Sequence, residues 1–152
     1  MVGGPVTPMV ANEMALLESL GRLDRGTFAH SVRTRDLALR IGKGLGLDGE
    51  DLRKLALGSF LHDIGKHRVP LDLLQKQTPL TEGEWLIIQD HTVLGFEAVQ
   101  SAGLPHDVAR IVLEHHRWAN GKGGYPGHVQ EPPTLLTQIV SVADVLDAMT
   151  SK

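Results

Sequence analysis

Apolar residues recur along most of the chain at the three- and four-residue spacing of an α-helix, and the alternation typical of β-strands is nearly absent. The pattern therefore predicts an all-α fold, a helical bundle of about six to seven helices. The predicted helices cover Met9–Leu23, Phe28–Leu45, Asp48–His62, Thr81–Gln100 with a break near Asp90, Pro105–Arg117 and Pro133–Met149. No repeat or shift in composition divides the chain, so residues 1–152 are expected to form one domain.

Local signals at the predicted helix ends support these boundaries. Thr27 is expected to cap the second helix, and the segment Thr81–Glu84 has the form of a capping box. Gly65 is expected to end the third helix, since glycine is common just beyond helix C-termini. Pro105 and Pro133 suit the first turn of a helix, because that position needs no amide proton.

Histidine and aspartate side chains interrupt the apolar stripes of four predicted helices. These inward-facing residues are His30, His62, His115, Asp144 and Asp147. A carboxylate in such apolar surroundings is costly to bury unless a cation compensates it. The pattern therefore requires either separate local partners for each group or one shared cation.

Each of these residues has an ordinary explanation when taken singly. A lone inward histidine such as His30 is usually hydrogen-bonded within a core, and Asp144 would suit an arginine partner. The pair His115 and His116 would be favoured at a helix C-terminus by the helix dipole. Their coincidence on separate helices instead favours a metal site. Three further histidines lack the pattern and are expected at the surface: His67, His106 and His128.

Composition narrows the chemistry of such a site. The chain is 41% hydrophobic and 22% charged, which is typical of a soluble globular protein. Its net charge of -3 does not indicate the excess of basic residues expected for binding a nucleic acid polymer or an anionic membrane. No apolar run reaches the roughly 20 residues of a membrane span, and the N-terminus lacks a leader pattern, so a cytoplasmic location is expected. Because the chain has no cysteine, a metal would be bound by His, Asp and Glu.

An ordered set of residues runs from the second helix to the end of the chain. It comprises His30, "HDIGK" at residues 62–66, His91, the pair His115 and His116, "GGYP" at residues 123–126, and "ADVLDAMTS" at residues 143–151. This set resembles the HD domain metal-dependent phosphohydrolases, and within them the HD-GYP cyclic di-GMP phosphodiesterases. The resemblance implies an HD-domain helical bundle with a buried metal centre over residues 1–152. It also implies hydrolysis of cyclic di-GMP to pGpG, GMP or both by a metal-bridging hydroxide.

The resemblance implies a role for each matching residue. One metal ion would bind His30, His62, Asp63 and Asp144, and a second would share Asp63 with His91, His115 and His116. The family and the nitrogen and oxygen donors both suggest two divalent ions, iron or manganese. Asp63 and Lys66 would be the catalytic residues, with Lys66 offsetting charge on the phosphate of the substrate. Tyr125 would contact the substrate by shaping its pocket or packing against a guanine, although a plain turn-packing role suits it equally.

The chain departs from the family pattern in three places. Gly26 stands where some members carry a glutamate ligand for a third metal, so two metals are expected. Arg117 replaces the usual acidic residue before the GYP loop, and Gly123 and Gly124 are doubled, so the loop contacts are expected to differ. The family continues with an Arg-Pro-Tyr-Arg segment, whereas this sequence stops at Lys152. The sequence is therefore expected to be either part of a longer enzyme or a minimal variant, with poor turnover of cyclic di-GMP by these residues alone.

Two other functions stay open from the residues alone. One is an HD-family hydrolase of another nucleotide or phosphate ester, and the other is a nucleotide-binding signalling module without turnover. A cyclic dinucleotide or other phosphoester is the expected small-molecule partner. A regulatory domain or a second copy of the chain is the expected protein partner.

Overall fold

The computed structural model describes residues 15–16 and 18–151, which are helical apart from turns and loops. After a helical stretch at residues 18–21, the elements are α1 (Arg25–Gly44), α2 (Gly49–Leu61), a 3-10 helix (Ile64–Arg68), α3 (Leu71–Leu74), α4 (Glu82–Gln89), α5 (His91–Ser101), α6 (His106–Glu114) and α7 (Leu135–Thr150). These residues contain no strand, only an isolated bridge between Arg117 and Gly124. The all-α prediction is confirmed. Much of the predicted first helix, Met9–Leu23, lies outside the described residues.

Four of the seven α-helices labelled above, α1, α2, α4 and α7, begin after a side-chain cap, and one predicted cap is wrong. α1 begins at Arg25 because Asp24 Oδ1 accepts from the amides of Gly26 at 2.9 Å and Thr27 at 3.1 Å. Thr27, the predicted cap, lies inside the helix and donates its hydroxyl to Asp24 Oδ2 at 2.6 Å. Both residue types cap well, but the earlier aspartate satisfies two amides and so adds a turn to the helix.

Other predicted helix ends are confirmed or shifted by a few residues. The capping box of Thr81 and Glu84 is present, and the break falls at Asp90 as predicted. Pro105 is the residue before α6 and Pro133 precedes the cap of α7, so neither lies in a first turn. α6 ends at Glu114, three residues before the predicted Arg117, and frees the two histidines that follow.

The prediction that Gly65 ends the third helix is wrong. α2 ends at Leu61, and Gly65 lies buried within the 3-10 helix that follows. A β-carbon at Gly65 would overlap the carbonyl oxygen of His91. Glycine is therefore required here by the close approach of two backbones rather than by a helix stop.

The helices pack as two connected groups. α1 lies against α2 and α7, while α5 lies against α6 and the 3-10 helix, and α2 joins the groups by packing on α6. One apolar cluster contains Ala38, Leu55, Ile111, Leu136, Ile139, Val140 and Ala143, and the other contains Leu61, Ile64, Val99, Val108, Ala109 and Val112. Since α2 and α6 contribute to both clusters, their C-terminal ends are held close together.

α7 is apolar on most of its surface, yet only one side is buried. Its exposed apolar residues include Leu135, Val142, Val145 and Met149. The two aspartates of this helix both face α1. No helix in the described part of the chain is long and apolar enough to cross a membrane.

Candidate metal centre

The structure brings all seven predicted metal ligands together in two adjacent groups. The first group is His30, His62 and Asp144, and the second is Asp63, His91, His115 and His116. Within each group, one donor atom from every residue lies within 4.8 Å of the others. The residues come from α1, α5, α7 and the segments just after α2 and α6. Helix packing thus assembles donors that are far apart in sequence.

Asp63 stands between the two groups and presents one oxygen to each. Its Oδ2 lies 3.9 Å from His30 Nε2 and 3.4 Å from His62 Nε2. Its Oδ1 lies 3.3 Å from His91 Nε2 and 3.9 Å from His115 Nε2. A carboxylate placed in this way can bridge two cations.

Local helix geometry fixes the tautomer of three histidines. His62, His91 and His115 each hydrogen-bond through Nδ1 to the backbone carbonyl three residues earlier, at 2.7, 2.6 and 2.9 Å. A carbonyl only accepts, so Nδ1 carries a proton and Nε2 is the nitrogen that faces the centre. These carbonyls lie in the last turns of α2, α4 and α6. A histidine just after a helix therefore directs Nε2 away from the helix and into the centre.

The inward nitrogens need a cation. His91 Nε2 and His115 Nε2 lie 3.5 Å apart, so two lone pairs face each other. Within the described residues, buried His62 Nε2 has no hydrogen-bond partner, although Asp144 Oδ1 lies only 3.7 Å away. Unpaired buried nitrogens are costly, whereas imidazole nitrogen and carboxylate oxygen together are ordinary ligands for divalent metals. The donor set fits a metal site.

The electrostatics keep most of these donors ready to bind a metal. Burial raises the pKa of Asp63, but the charges of His62 and Lys66 outweigh it and hold that pKa well below its usual range. Burial, together with neighbouring histidines, lowers the pKa of His116 to about 4 and that of His115 well below its usual value. Both histidines are therefore neutral, and Asp63 is ionised.

His62 behaves differently from the other buried histidines. Burial disfavours its charged form, but Asp63 and Asp144 overcome this and raise its pKa to about 10. Without a metal, His62 holds a proton that partly neutralises the carboxylates. A metal would displace this proton, so metal binding should be linked to pH.

Lys66 and Tyr125, the predicted substrate contacts, lie beside the centre. Lys66 Nζ donates to Asp63 Oδ2 at 2.7 Å. The ring of Tyr125 stacks on His116 with centroids 4.6 Å apart and 30° between planes. Burial, aided by Asp63 and Asp144, raises the pKa of Tyr125, so its phenol keeps the proton and can donate it in a hydrogen bond.

Arg117 holds the glycine-rich loop rather than facing the centre. Its side chain is buried and donates to the carbonyls of Glu131 at 2.5 Å and Gly121 at 2.9 Å. The amide of Tyr125 donates to His116 O at 3.3 Å in the same loop. The departure from the family pattern at this position thus stabilises the loop that carries Tyr125.

Two residues near the centre were not assigned a role from sequence. Asp147 Oδ2 lies 2.6 Å from His30 Nδ1, and Arg33 binds both oxygens of Asp147, at 2.7 and 3.0 Å. The signal was a matched spacing, because His30 and Arg33 on α1 are three positions apart, as are Asp144 and Asp147 on α7. Of the predicted surface histidines, His106 and His128 are exposed, whereas His67 is half-buried; none belongs to either ligand group.

Fold and donor set together define a helical domain built around a histidine- and aspartate-rich centre suited to two cations. The chain belongs to the HD domain family, which residues 27–149 match. The HD-domain prediction is thereby confirmed.

Two curated relatives are named phosphodiesterases. Cyclic di-GMP phosphodiesterase response regulator RpfG of Xanthomonas campestris is 35% identical over 143 residues, covering 88% of this chain and 38% of RpfG. The 3'3'-cGAMP-specific phosphodiesterase 1 of Vibrio cholerae is 34% identical over 125 residues, covering 82% of this chain and 29% of that protein. The chain therefore spans only about a third of the length of these relatives.

A solved structure agrees with the fold. The HD domain of the L. monocytogenes phosphodiesterase PgpH matches with a TM-score of 0.70 and 25% identity, covering 90% of this chain and 74% of that one.

Proposed function

We propose that this chain is a metal-dependent phosphodiesterase that hydrolyses cyclic di-GMP to pGpG, GMP or both. The observation that carries the proposal is the placement of Asp63, which directs one carboxylate oxygen to each histidine group. The named activities of RpfG and the cGAMP-specific relative support the same class of substrate.

The proposed ligands divide as the two groups do. His30, His62 and Asp144 would hold one divalent ion, and His91, His115 and His116 the other, with Asp63 shared. Two such ions, iron or manganese, would polarise the phosphoryl group and lower the pKa of a bound water towards about 7.

The side chains around the centre have distinct tasks. Lys66 lies within hydrogen-bond distance of Asp63, so its ammonium would reach a phosphate held at the same place and offset charge on the non-bridging oxygens. Tyr125 would orient the substrate by donating a hydrogen bond from its hydroxyl, which its raised pKa keeps protonated. The bonds from Nδ1 to helix carbonyls keep Nε2 of these histidines directed at the centre, and His62 would release its second proton on binding a metal.

A second candidate substrate is a different cyclic dinucleotide. The cGAMP-specific relative is almost as similar as RpfG, so 3'3'-cGAMP suits the proposal nearly as well as cyclic di-GMP. We further propose a cytoplasmic location. As protein partner we propose either a regulatory domain, by analogy with the response-regulator name of RpfG, or a second copy of the chain.

The test uses the chain loaded with Mn²⁺ or, without oxygen, Fe²⁺. Elemental analysis should find two metal ions per chain, and chromatography should find linear product from cyclic di-GMP or 3'3'-cGAMP. Asp63→Asn should abolish turnover, while Asp36→Asn, an exposed carboxylate away from the centre, should leave it unchanged. Two bound metals without hydrolysis of either dinucleotide or of a small activated phosphodiester such as bis(p-nitrophenyl) phosphate would instead indicate a binding module.

A further inference from the structure

His30 is held differently from the other histidines of the centre. His62, His91 and His115 rest on backbone carbonyls three residues earlier in the chain. His30 Nδ1 instead meets a side-chain carboxylate of another helix, Asp147 Oδ2, at 2.6 Å. The orientation of His30 therefore depends on the packing of α1 against α7.

Both carboxylate oxygens of Asp147 are themselves held by hydrogen bonds. Arg33 donates from Nε to Oδ1 at 2.7 Å and from Nη2 to Oδ2 at 3.0 Å, and Ser151 donates to Oδ1 at 2.8 Å. The Asp147 side chain is only 4% exposed. Two parallel bonds from a planar guanidinium set the plane of the carboxylate as well as its position.

This arrangement determines where the other nitrogen of His30 points. Because ionised Asp147 only accepts, His30 Nδ1 must donate, and Nε2, which hydrogen-bonds to Asp144 without a metal, is the nitrogen left to bind one. Nε2 lies 2.9 Å from Asp144 Oδ1 and 3.9 Å from Asp63 Oδ2, on the side of the first ligand group. A carboxylate partner also makes an imidazole a more basic ligand than a carbonyl partner does.

We propose that the pair Arg33–Asp147 positions His30 and sets the metal affinity of the first ligand group alone, an inference that rests on the proposed metal centre. Asp147 is a positioning residue that acts through His30. The second group lacks such a pair in the described residues, since His91 and His115 rest on carbonyls and His116 stacks on Tyr125. Loss of the pair therefore weakens one metal and spares the other.

The experiment titrates metal-free protein with Co²⁺ in competition with a chelator, following the visible absorption of each bound ion. Removing an outer carboxylate from a histidine ligand typically weakens metal binding 10- to 100-fold. Asp147→Asn should weaken one of the two ions by that factor, change its absorption spectrum and leave the other ion unchanged. Arg33→Gln should act in the same direction by a smaller factor. Arg35→Gln, which removes an arginine paired with exposed Asp36 on the same helix, should match the unmodified chain.

The outcomes separate this inference from the proposed function. Failure of the unmodified chain to bind two ions would overturn the metal centre itself. Two ions of unchanged affinity in both Asp147→Asn and Arg33→Gln would overturn the positioning role and leave the centre standing. Equal weakening of both ions would also overturn it, because that result indicates a general loss of structure. Should Asp147→Asn not fold, half-exposed Arg33 provides the decisive variant, because its removal leaves the buried carboxylate in place.

Discussion

Removal of metal should lower the stability of this domain by a large and calculable amount. The two ligand groups contain seven side chains, of which His62, Asp63, His91 and His115 are almost completely buried. Their inward nitrogens and carboxylates have few other partners, so the folded chain should bind cations far better than the unfolded one. A ligand that binds only the folded state stabilises it by mass action.

The magnitude follows from two sites. At a free metal concentration 100 times the dissociation constant, each site contributes about 2.7 kcal/mol, or about 5 kcal/mol together. For a domain of this size, that corresponds to a fall in melting temperature of about 10 to 20 °C on removal of metal. The proton on His62 and the bond from Lys66 to Asp63 stabilise the metal-free state in part, so it should remain folded at room temperature.

The assay is thermal unfolding by circular dichroism before and after chelation, with metal content checked on the same samples. Asp63→Asn supplies the internal comparison, because loss of the shared carboxylate should reduce the shift to that of one site or less. An unchanged melting temperature after verified removal of metal would refute the reasoning.

Three further predictions concern single residues. Asp63→Asn should lose the second metal and all turnover, whereas Lys66→Ala should keep both metals and lower activity at least about tenfold. Elemental analysis and an activity assay on the same samples test both expectations. Loss of metal in Lys66→Ala would contradict the role given to Lys66. In metal-free protein, the raised pKa of His62 contributes stability that is complete below pH 6.5 and is lost as the pH rises towards about 10. The urea concentration at the unfolding midpoint should therefore fall over that pH range, and it should fall less in His62→Gln. Gly65→Ala should destabilise the fold by more than the about 1–3 kcal/mol of ordinary overpacking, because the new carbon meets the backbone of α5. Gly83→Ala in α4, where nothing lies within 4 Å, should instead stabilise by up to about 1 kcal/mol, and urea unfolding measures both.

The sequence alone determined those features that arise within one turn of helix. The capping box of Thr81 and Glu84 closes over three residues, so it could be predicted directly from the sequence. One of the errors was local as well. Asp24 and Thr27 were both good caps, and the choice between them depended on how many amides each could satisfy. Gly65 was assigned to a helix end because its contact with His91 joins two separate elements.

The ordered motif predicted which residues belong to the centre, through the family resemblance rather than through physical reasoning about each position. It did not predict how they face one another. The two-sided placement of Asp63 and the support of His30 by Asp147 depend on contacts between residues far apart in the chain, up to 117 positions for the latter pair. Helical periodicity states which side of a helix is apolar, but not which helix will cover it or how closely. Only the packing of α1 on α7, and of α2 on α6, decided these distances. Burial of the apolar sides of these helices brings into contact the polar residues that lie at the helix ends and along the lines where two helices meet.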